Sequence, residues 1–206
     1  MFRIPIDRGR LRGYASLSLI TVVSVLGVRA LAGQPQGANV YAPFGCDLAA
    51  GECNDVGDSM LVRSARGVTM NIWTTGLEPH SVYTVWWVIF NNPAACAAGA
   101  GACVGPDLGN PDVNGCVQWA TGHPIGRNGI GNFSASLQEG DTSGDQPNPA
   151  LSGCGVGLVD ADAAEVHLVV RTHGEIVPEL VYEQMSTFLG GCDVNVCADQ
   201  QFAIHP

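Results

Sequence analysis

Eight cysteines are the feature that most restricts how this chain can fold, and all of them lie after residue 45. An even number of cysteines in an exported chain predicts a disulfide framework. Closeness in sequence favours the local pairs 46/53, 96/103 and 192/197 and leaves 116 with 154, while other pairings stay open. The absence of a Cys-x-x-Cys pair argues against a zinc site built on thiolates. The eight are Cys46, Cys53, Cys96, Cys103, Cys116, Cys154, Cys192 and Cys197.

The first 32 residues have the form of a secretory signal peptide. A basic stretch precedes the apolar run Leu17–Val28, and Ala30-Leu31-Ala32 has the small-x-small form that a signal peptidase prefers. The alternative is an uncleaved membrane anchor, but the run from Tyr14 to Val28 is shorter than the ~20 residues that span a bilayer. We therefore predict a signal peptide at 1–32 and one secreted or periplasmic domain at 33–206, with no membrane span after processing.

The balance of charge excludes several classes of partner. From Gly33 onward the chain has four arginines, no lysine and 18 acidic residues. Contacts to phosphate need clustered Lys or Arg, so we expect no binding to nucleic acid or to anionic lipid. The sequence is 46% hydrophobic and 14% charged. Such a chain can fill a core, which argues against a disordered protein.

Alternating apolar residues predict that most of the domain consists of β-strands. Residues 67–75 place Val68, Met70 and Ile72 on one face, and the run from Val82 to Phe90 is apolar on both faces, as in a strand that is buried on both sides. We expect residues 33–58 to form an irregular N-terminal segment. A hairpin that turns at Asn128-Gly129 is predicted over 116–137, further strands at 59–63, 164–172 and 200–205, and a short helix at 178–188.

A short motif indicates a particular β-architecture. Leu77 and Pro79 form a Leu-x-Pro pattern, and Tyr83 enters a strand four residues later. This pattern resembles the tyrosine corner of Greek-key sandwiches such as fibronectin type III modules. The resemblance implies that the Tyr83 hydroxyl bonds back to the backbone of the corner. We therefore predict an all-β domain: a Greek-key β-sandwich, immunoglobulin- or fibronectin-III-like, with long disulfide-stapled loops and one short helix.

Trp86 and Phe90 are candidates for a ligand platform. Alternation along the strand places Trp86 opposite Trp87, so Trp86 lies on the outer face if Trp87 is in the core. The segment 91–115 follows directly and is rich in Gly, Ala and Pro. One interpretation is that this segment folds back and buries Trp86. The other is that the indole is a platform for a sugar or a partner protein.

Four residues are candidates for a transition-metal site, because imidazole and carboxylate groups are common ligands. Glu165, His167 and His173 share one face of a predicted strand, and His123 follows another. His167 and His173 are about 20 Å apart on an extended strand, so they bind one metal only if the chain bends between them. The alternative is that Glu165, His167 and Arg171 form a solvated polar face.

Calcium is the second candidate ion. Asp141 and Asp145 lie in an acidic, Gly-containing stretch at 139–145, and Ca²⁺ is bound by carboxylate and carbonyl oxygens. The stretch lacks the EF-hand pattern. The alternative is that its acidity keeps an exported protein soluble.

No catalytic motif stands out in the sequence. There is no Gly-x-Ser-x-Gly elbow, and every cysteine is expected to be bridged. Asn132-Phe-Ser134 is a glycosylation sequon, which has meaning only in a host that glycosylates. Our leading hypothesis is a non-catalytic, exported domain without a cofactor that acts in binding or structural interaction, with an extracellular protein or a glycan as its partner. The alternative is a metal-dependent protein or enzyme that uses Glu165, His167, His173 and His123.

Overall fold

Antiparallel strands account for most of the regular structure in this computed structural model, which describes residues 33–146 and 155–206. Helix α1 covers Val181–Ser186, and two 3-10 turns cover Pro93–Ala95 and Gly105–Gly109. The strands are β1 Pro35–Ala42, β2 Asn54–Ser64, β3 Gly67–Thr74, β4 Ser81–Phe90, β5 Gly115–Pro124, β6 Gly131–Gln138, β7 Glu165–Glu175 and β8 Ala198–His205.

The strands form one eight-stranded sheet in the order β5-β4-β7-β8-β1-β2-β3-β6. The two end strands, β5 and β6, follow each other in the chain and approach each other in space. His123 of β5 lies with Nε2 2.9 Å from the carbonyl oxygen of Asn132 in β6, and its ring centroid is 4.6 Å from that of Phe133. The sheet is therefore nearly closed, like a barrel. The all-β class and the short helix are confirmed, whereas the Greek-key sandwich is not confirmed.

The hairpin predicted over 116–137 is wrong in its pairing. β5 pairs with β4, and β6 pairs with β3. The reason lies in the connection between them, whose backbone groups bond to the β3–β4 connection instead. His80 N–H donates to Ile125 O over 3.0 Å, and Leu77 N–H donates to Gly129 O over 3.1 Å. These bonds direct the two strands to opposite ends of the sheet.

The main apolar core lies inside the nearly closed sheet. The predicted inward faces of β3 and β7 are confirmed, and Trp87 points into the same core. Fully burying one large apolar side chain stabilises the fold by about 1.5–3 kcal/mol, so this cluster dominates its stability. Its members include Leu61, Val68, Met70, Ile72, Leu77, Tyr83, Val85, Trp87, Ile89, Ile125, Phe133, Leu137, Leu158, Val166, Leu168 and Val170.

The tyrosine-corner hydrogen bond is present at the start of β4. The Tyr83 hydroxyl accepts a hydrogen bond from the backbone N–H of Glu78 over 2.9 Å and donates to Oε1 of Gln200 over 3.1 Å. The buried phenol is thereby satisfied. This local geometry ties the β3–β4 connection to strand β8, as the resemblance implied for the corner backbone.

The expectation that residues 33–58 are irregular is wrong for β1 and for the start of β2. β1 contributes little apolar surface, since Val40 is its one buried side chain. Its backbone nevertheless pairs with β2 along its whole length, from Pro35 opposite Val62 to Ala42 opposite Asn54. Backbone pairing thus imposes a strand where the side-chain pattern is weak.

Disulfides close three surface segments of the chain. The predicted pairs 46/53, 96/103 and 192/197 are confirmed. Cys116 is also disulfide-bonded, and its predicted partner Cys154 lies outside the described residues, as does the predicted signal peptide at 1–32. No helix within 33–146 and 155–206 is long and apolar enough to cross a membrane.

Candidate binding pocket on the outer sheet face

The outer face of β4 forms the floor of a pocket. Trp86, Val88 and Phe90 point away from the main core and pack in two smaller apolar clusters. The register places Val117 of β5 opposite Val88 and Val169 of β7 opposite Trp86. Three neighbouring strands therefore supply one continuous apolar floor.

Segments next to the three local disulfides supply the walls of this pocket. Phe44, Leu108 and Phe188 each lie within a few residues of one of these disulfides. We call this cavity, of about 540 Å³, the outer-face pocket. Its volume falls within the range of typical ligand sites. Its side-chain lining comprises Phe44, Trp86, Val88, Phe90, Pro106, Leu108, Val117, His167, Val169, Phe188, Asp199 and Phe202.

Phe188 covers Trp86 and fixes one wall. The two rings meet edge-on with centroids 5.1 Å apart, and the Arg171 guanidinium lies 3.9 Å from the centroid of Phe188. Arg171 also donates to the Phe188 carbonyl over 3.2 Å and to Oδ1 of Asp199 over 2.7 Å. Trp86 is 1% exposed as a result. It therefore forms the bottom of the pocket rather than an open platform.

The predicted cover of the outer face is correct in part. Segment 91–115 covers Phe90, since Cys96, Cys103 and Val113 pack against that ring. The cluster around Trp86, in contrast, is packed by Phe188 and Trp119 from outside this segment as well as by Leu108 from within it. The sequence did not indicate this contact, because Phe188 was placed at the end of the predicted helix at 178–188. Its position just before a disulfide-closed segment was the available signal.

A chain of buried hydrogen bonds fixes the indole of Trp86. Its Nε1–H donates to Oγ1 of Thr84 over 2.7 Å, and Thr84 lies 2.9 Å from Nε2 of His173. Nδ1 of His173 lies 2.8 Å from the carbonyl oxygen of Gly190, which can only accept, so Nδ1 carries the proton. Nε2 is then the acceptor for the Thr84 hydroxyl. Every polar atom of this chain is satisfied, which makes the pocket floor rigid.

Close backbone packing holds the α1 segment against the sheet. Nε1 of Trp119 donates to Met185 O over 2.9 Å, and a Cβ at Gly122 would lie 2.3 Å from that same oxygen. The buried Gln184 amide donates to the carbonyls of His173 and Glu175 over 3.1 and 2.9 Å. The wall that carries Phe188 is thus anchored on two strands.

Glu165 and His167 form a polar pair at the edge of the pocket. Nε2 of His167 lies 2.7 Å from Oε1 of Glu165, whose carboxylate also accepts hydrogen bonds from the N–H groups of Gly101 and Cys103 over 2.6 and 3.1 Å. Burial raises the pKa of Glu165, but these hydrogen bonds outweigh it, so the pKa lies below its ordinary value. An ionised carboxylate only accepts, so Nε2 of His167 carries the proton.

The expectation of a solvated polar face on β7 is wrong. Glu165 is fully buried and Arg171 is 8% exposed. The reason is the covering layer, because segment 91–115 supplies backbone donors to Glu165 while the residues after α1 engage Arg171. The outward face of a strand is therefore not necessarily exposed to solvent.

The structure brings together only two of the four predicted metal ligands. Glu165 contacts His167, whereas His173 is enclosed between Thr84 and Gly190, and His123 lies against β6. Burial lowers the pKa of His173. Two other groups of potential ligand atoms occur in the described residues, but both contain disulfide-bonded cysteines, whose sulfur atoms are not thiolates. They are His173 with Cys192 and Cys197, and Cys96 with Cys103 and Asp107.

The predicted calcium ligands, Asp141 and Asp145, lie in the loop that follows β6. Oδ1 of Asp141 accepts a hydrogen bond of 2.8 Å from the N–H of Ser143, which lowers the pKa of Asp141. The side chain of Asp145 has one buried oxygen without a hydrogen-bond partner. A calcium site at these two residues stays a prediction.

Comparison with other proteins adds no relative to this description. No family model, no curated protein and no solved structure matches the chain.

Proposed function

We propose that this chain is an exported, disulfide-stabilised, non-catalytic binding protein. Its binding site is the outer-face pocket, which takes a bulky apolar group of an extracellular protein partner. Export to an oxidising compartment is supported by the three local disulfides, and the form of residues 1–32 is typical of a signal peptide. The proposal retains the Greek-key class, since the β3–β4 and β6–β7 connections both cross between distant parts of the sheet order.

The observation that carries the proposal is an apolar cavity with fixed walls. Its floor is built on three neighbouring strands, and each wall lies next to a disulfide. A preformed site binds more tightly because less conformational entropy is lost on binding. Apolar lining with few polar groups is typical of ligand sites.

The side chains that line the pocket restrict the class of ligand that it can bind. His167 and Asp199 are the polar side chains among its described lining residues, and Asp199 is already paired with Arg171. The pocket therefore offers dispersion contacts and one imidazole. An aromatic or branched aliphatic side chain fits this character, whereas a sugar needs more hydrogen-bonding groups than this lining provides.

Binding of the neutral dye Nile red to the purified protein tests the proposal. A Cβ at Gly105 or Gly109 would meet no atom within 4 Å. Both positions line the pocket, so we expect Gly105→Phe and Gly109→Phe to place a ring in it, and the added Cβ atoms meet no clash. We expect these variants to bind the dye at least ten-fold more weakly. Gly155→Phe is the matched control, because Gly155 has equally open space and lies outside the pocket.

Two results would contradict the proposal. One is dye binding that the Gly105→Phe and Gly109→Phe variants leave unchanged. The other is a stoichiometric transition metal in the purified protein, which would favour the metal-dependent alternative instead.

A further inference from the structure

The opposite half of the sheet carries an exposed tryptophan in a row of polar residues. Asn39, Asp58, Trp73 and Asn132 are direct cross-strand neighbours on β1, β2, β3 and β6. Met60 and Asn71 lie in the adjacent row. We call these six residues the Trp73 face. Neighbouring strands are about 4.8 Å apart, so the row of four spans roughly 14 Å.

The Trp73 face is open to solvent. Trp73 is 45% exposed, whereas Trp86 and Trp87 are buried. These residues line a shallow cavity of about 470 Å³ that is distinct from the outer-face pocket. An exposed indole on a flat strand surface is unusual, because large apolar side chains are normally covered.

The polar groups around the indole are available to a ligand. The side chains of Asp58, Asn71 and Asn132 make no hydrogen bond to other described residues. Asn39 is oriented by a hydrogen bond of 2.7 Å to Oδ2 of Asp55. Amide and carboxylate groups on rigid strands thus surround the ring with both donors and acceptors.

We propose that the Trp73 face binds a neutral carbohydrate chain. One face of a pyranose ring presents C–H groups, which pack on the electron-rich face of an indole. The hydroxyl groups at the rim of the sugar need both donors and acceptors, and the amides of Asn71 and Asn132 and the carboxylate of Asp58 provide these. The ligand is the extended chain of a glycan rather than a single sugar, because the polar row extends on both sides of Trp73.

Charge selects against other occupants of this surface. Asp55 and Asp58 make the face acidic, and none of the six residues is basic. An acidic polysaccharide is repelled by these carboxylates. A second copy of the chain would bring the same carboxylates towards each other, since a two-fold interface pairs each patch with itself.

The test is an array of neutral and acidic oligosaccharides, followed by titration of the best neutral binder. The protein is produced in a host without N-glycosylation, because Asn132 lies in the sequon Asn132-Phe-Ser134. Trp73→Ala should weaken binding at least ten-fold, and Trp73→Phe less, since a smaller ring retains part of the stacking. Tyr182→Ala is the matched control, because Tyr182 is a 76%-exposed aromatic residue on α1.

Three outcomes overturn this proposal. The first is that no neutral oligosaccharide binds. The second is that a neutral oligosaccharide binds equally well to the Trp73→Ala variant. The third is a dimer in light scattering that Trp73→Ala disperses, which would make a second copy the occupant. Gly109→Phe should leave oligosaccharide binding unchanged, so this result is separate from the test of the outer-face pocket.

Discussion

The ring of Phe188 packs edge-on against Trp86, with the two centroids 5.1 Å apart. Trp86 lies on β4, which runs between β5 and β7, and Phe188 lies in the segment before the 192/197 disulfide. Their contact makes the floor and one wall of the outer-face pocket a single packed unit. Loss of either ring should therefore affect stability and the pocket together.

Replacement of Trp86 by alanine should strongly destabilise the fold. A buried Trp→Ala change costs about 3–5 kcal/mol in the free energy of unfolding. Trp73→Ala is the control, and we expect it to cost less than about 1 kcal/mol because Trp73 is 45% exposed. Urea denaturation of both variants measures the difference. Equal, small losses would show that Trp86 is not covered.

The change Thr84→Val tests the buried hydrogen-bond chain. Valine preserves the shape of threonine but leaves Nε1–H of Trp86 without an acceptor and Nε2 of His173 without a donor. Each unsatisfied buried group costs about 1–3 kcal/mol, so for these two groups we expect a loss of about 2–6 kcal/mol in the free energy of unfolding. Thr69→Val is the control, because the hydroxyl of Thr69 bonds to Ser136 near the surface. A loss no larger than that of Thr69→Val would contradict the assigned network.

Stability should fall as the pH is lowered from about 6.5 to 4. Burial lowers the pKa of His205 to about 4, below the value of about 6.5 in the unfolded chain. The unfolded state therefore binds more protons in this window, so the stabilisation is complete above pH 6.5 and is lost as the pH falls towards 4. Burial also lowers the pKa of His173, which contributes with the same sign.

The pH dependence can be assigned to His205 by substitution. The lowered pKa of His205 should reduce the free energy of unfolding by up to about 3 kcal/mol between pH 6.5 and 4. The free energy of unfolding, measured by denaturation at several pH values, should therefore change less with pH for His205→Gln than for the parent protein. Lowered carboxylate pKa values, such as that of Asp107, act only at lower pH. Parallel pH profiles for the two proteins would contradict the assignment.

Export and disulfide formation can be tested by the intact mass and the thiol content of the exported protein. Protein recovered from the exported fraction should have an intact mass that begins at Gly33, and alkylation without prior reduction should modify no thiol. The three local disulfides and the bridged state of Cys116 underlie this expectation. A full-length, membrane-embedded species would contradict cleavage, and several reactive thiols would contradict the disulfide framework.

The parts of the fold that the sequence predicts are those with strong local patterns. β4 is evident because every residue from Val82 to Phe90 except Thr84 is apolar, and Tyr83 makes the corner bond that its motif implies. The local disulfides follow from spacing. β1 was missed because pairing with β2, rather than its side chains, makes it a strand.

The site was less predictable because its walls come from distant segments. Trp86 and Phe90 were evident as an outer apolar face, but the positions of Phe44 and Phe188 beside disulfide-closed segments do not indicate which face of the sheet these rings reach. His167 and His173, six residues apart on β7, lie in different environments, because His167 contacts Glu165 and His173 contacts Thr84 and Gly190. Contacts between segments that are distant in sequence do not produce a periodic pattern of apolar residues from which they could be predicted.

Methyl-resolved NMR during a titration with indole shows whether the outer-face pocket binds an apolar ring. We expect saturable shifts at the methyl groups of Val88, Val117 and Val169, which line this pocket, and loss of these shifts in the Gly109→Phe variant. Methyl groups of the main core, such as those of Leu61 and Val170, should stay unperturbed. Absence of shifts at the three valines, or equal shifts in the Gly109→Phe variant, would contradict the claim that this pocket is the binding site.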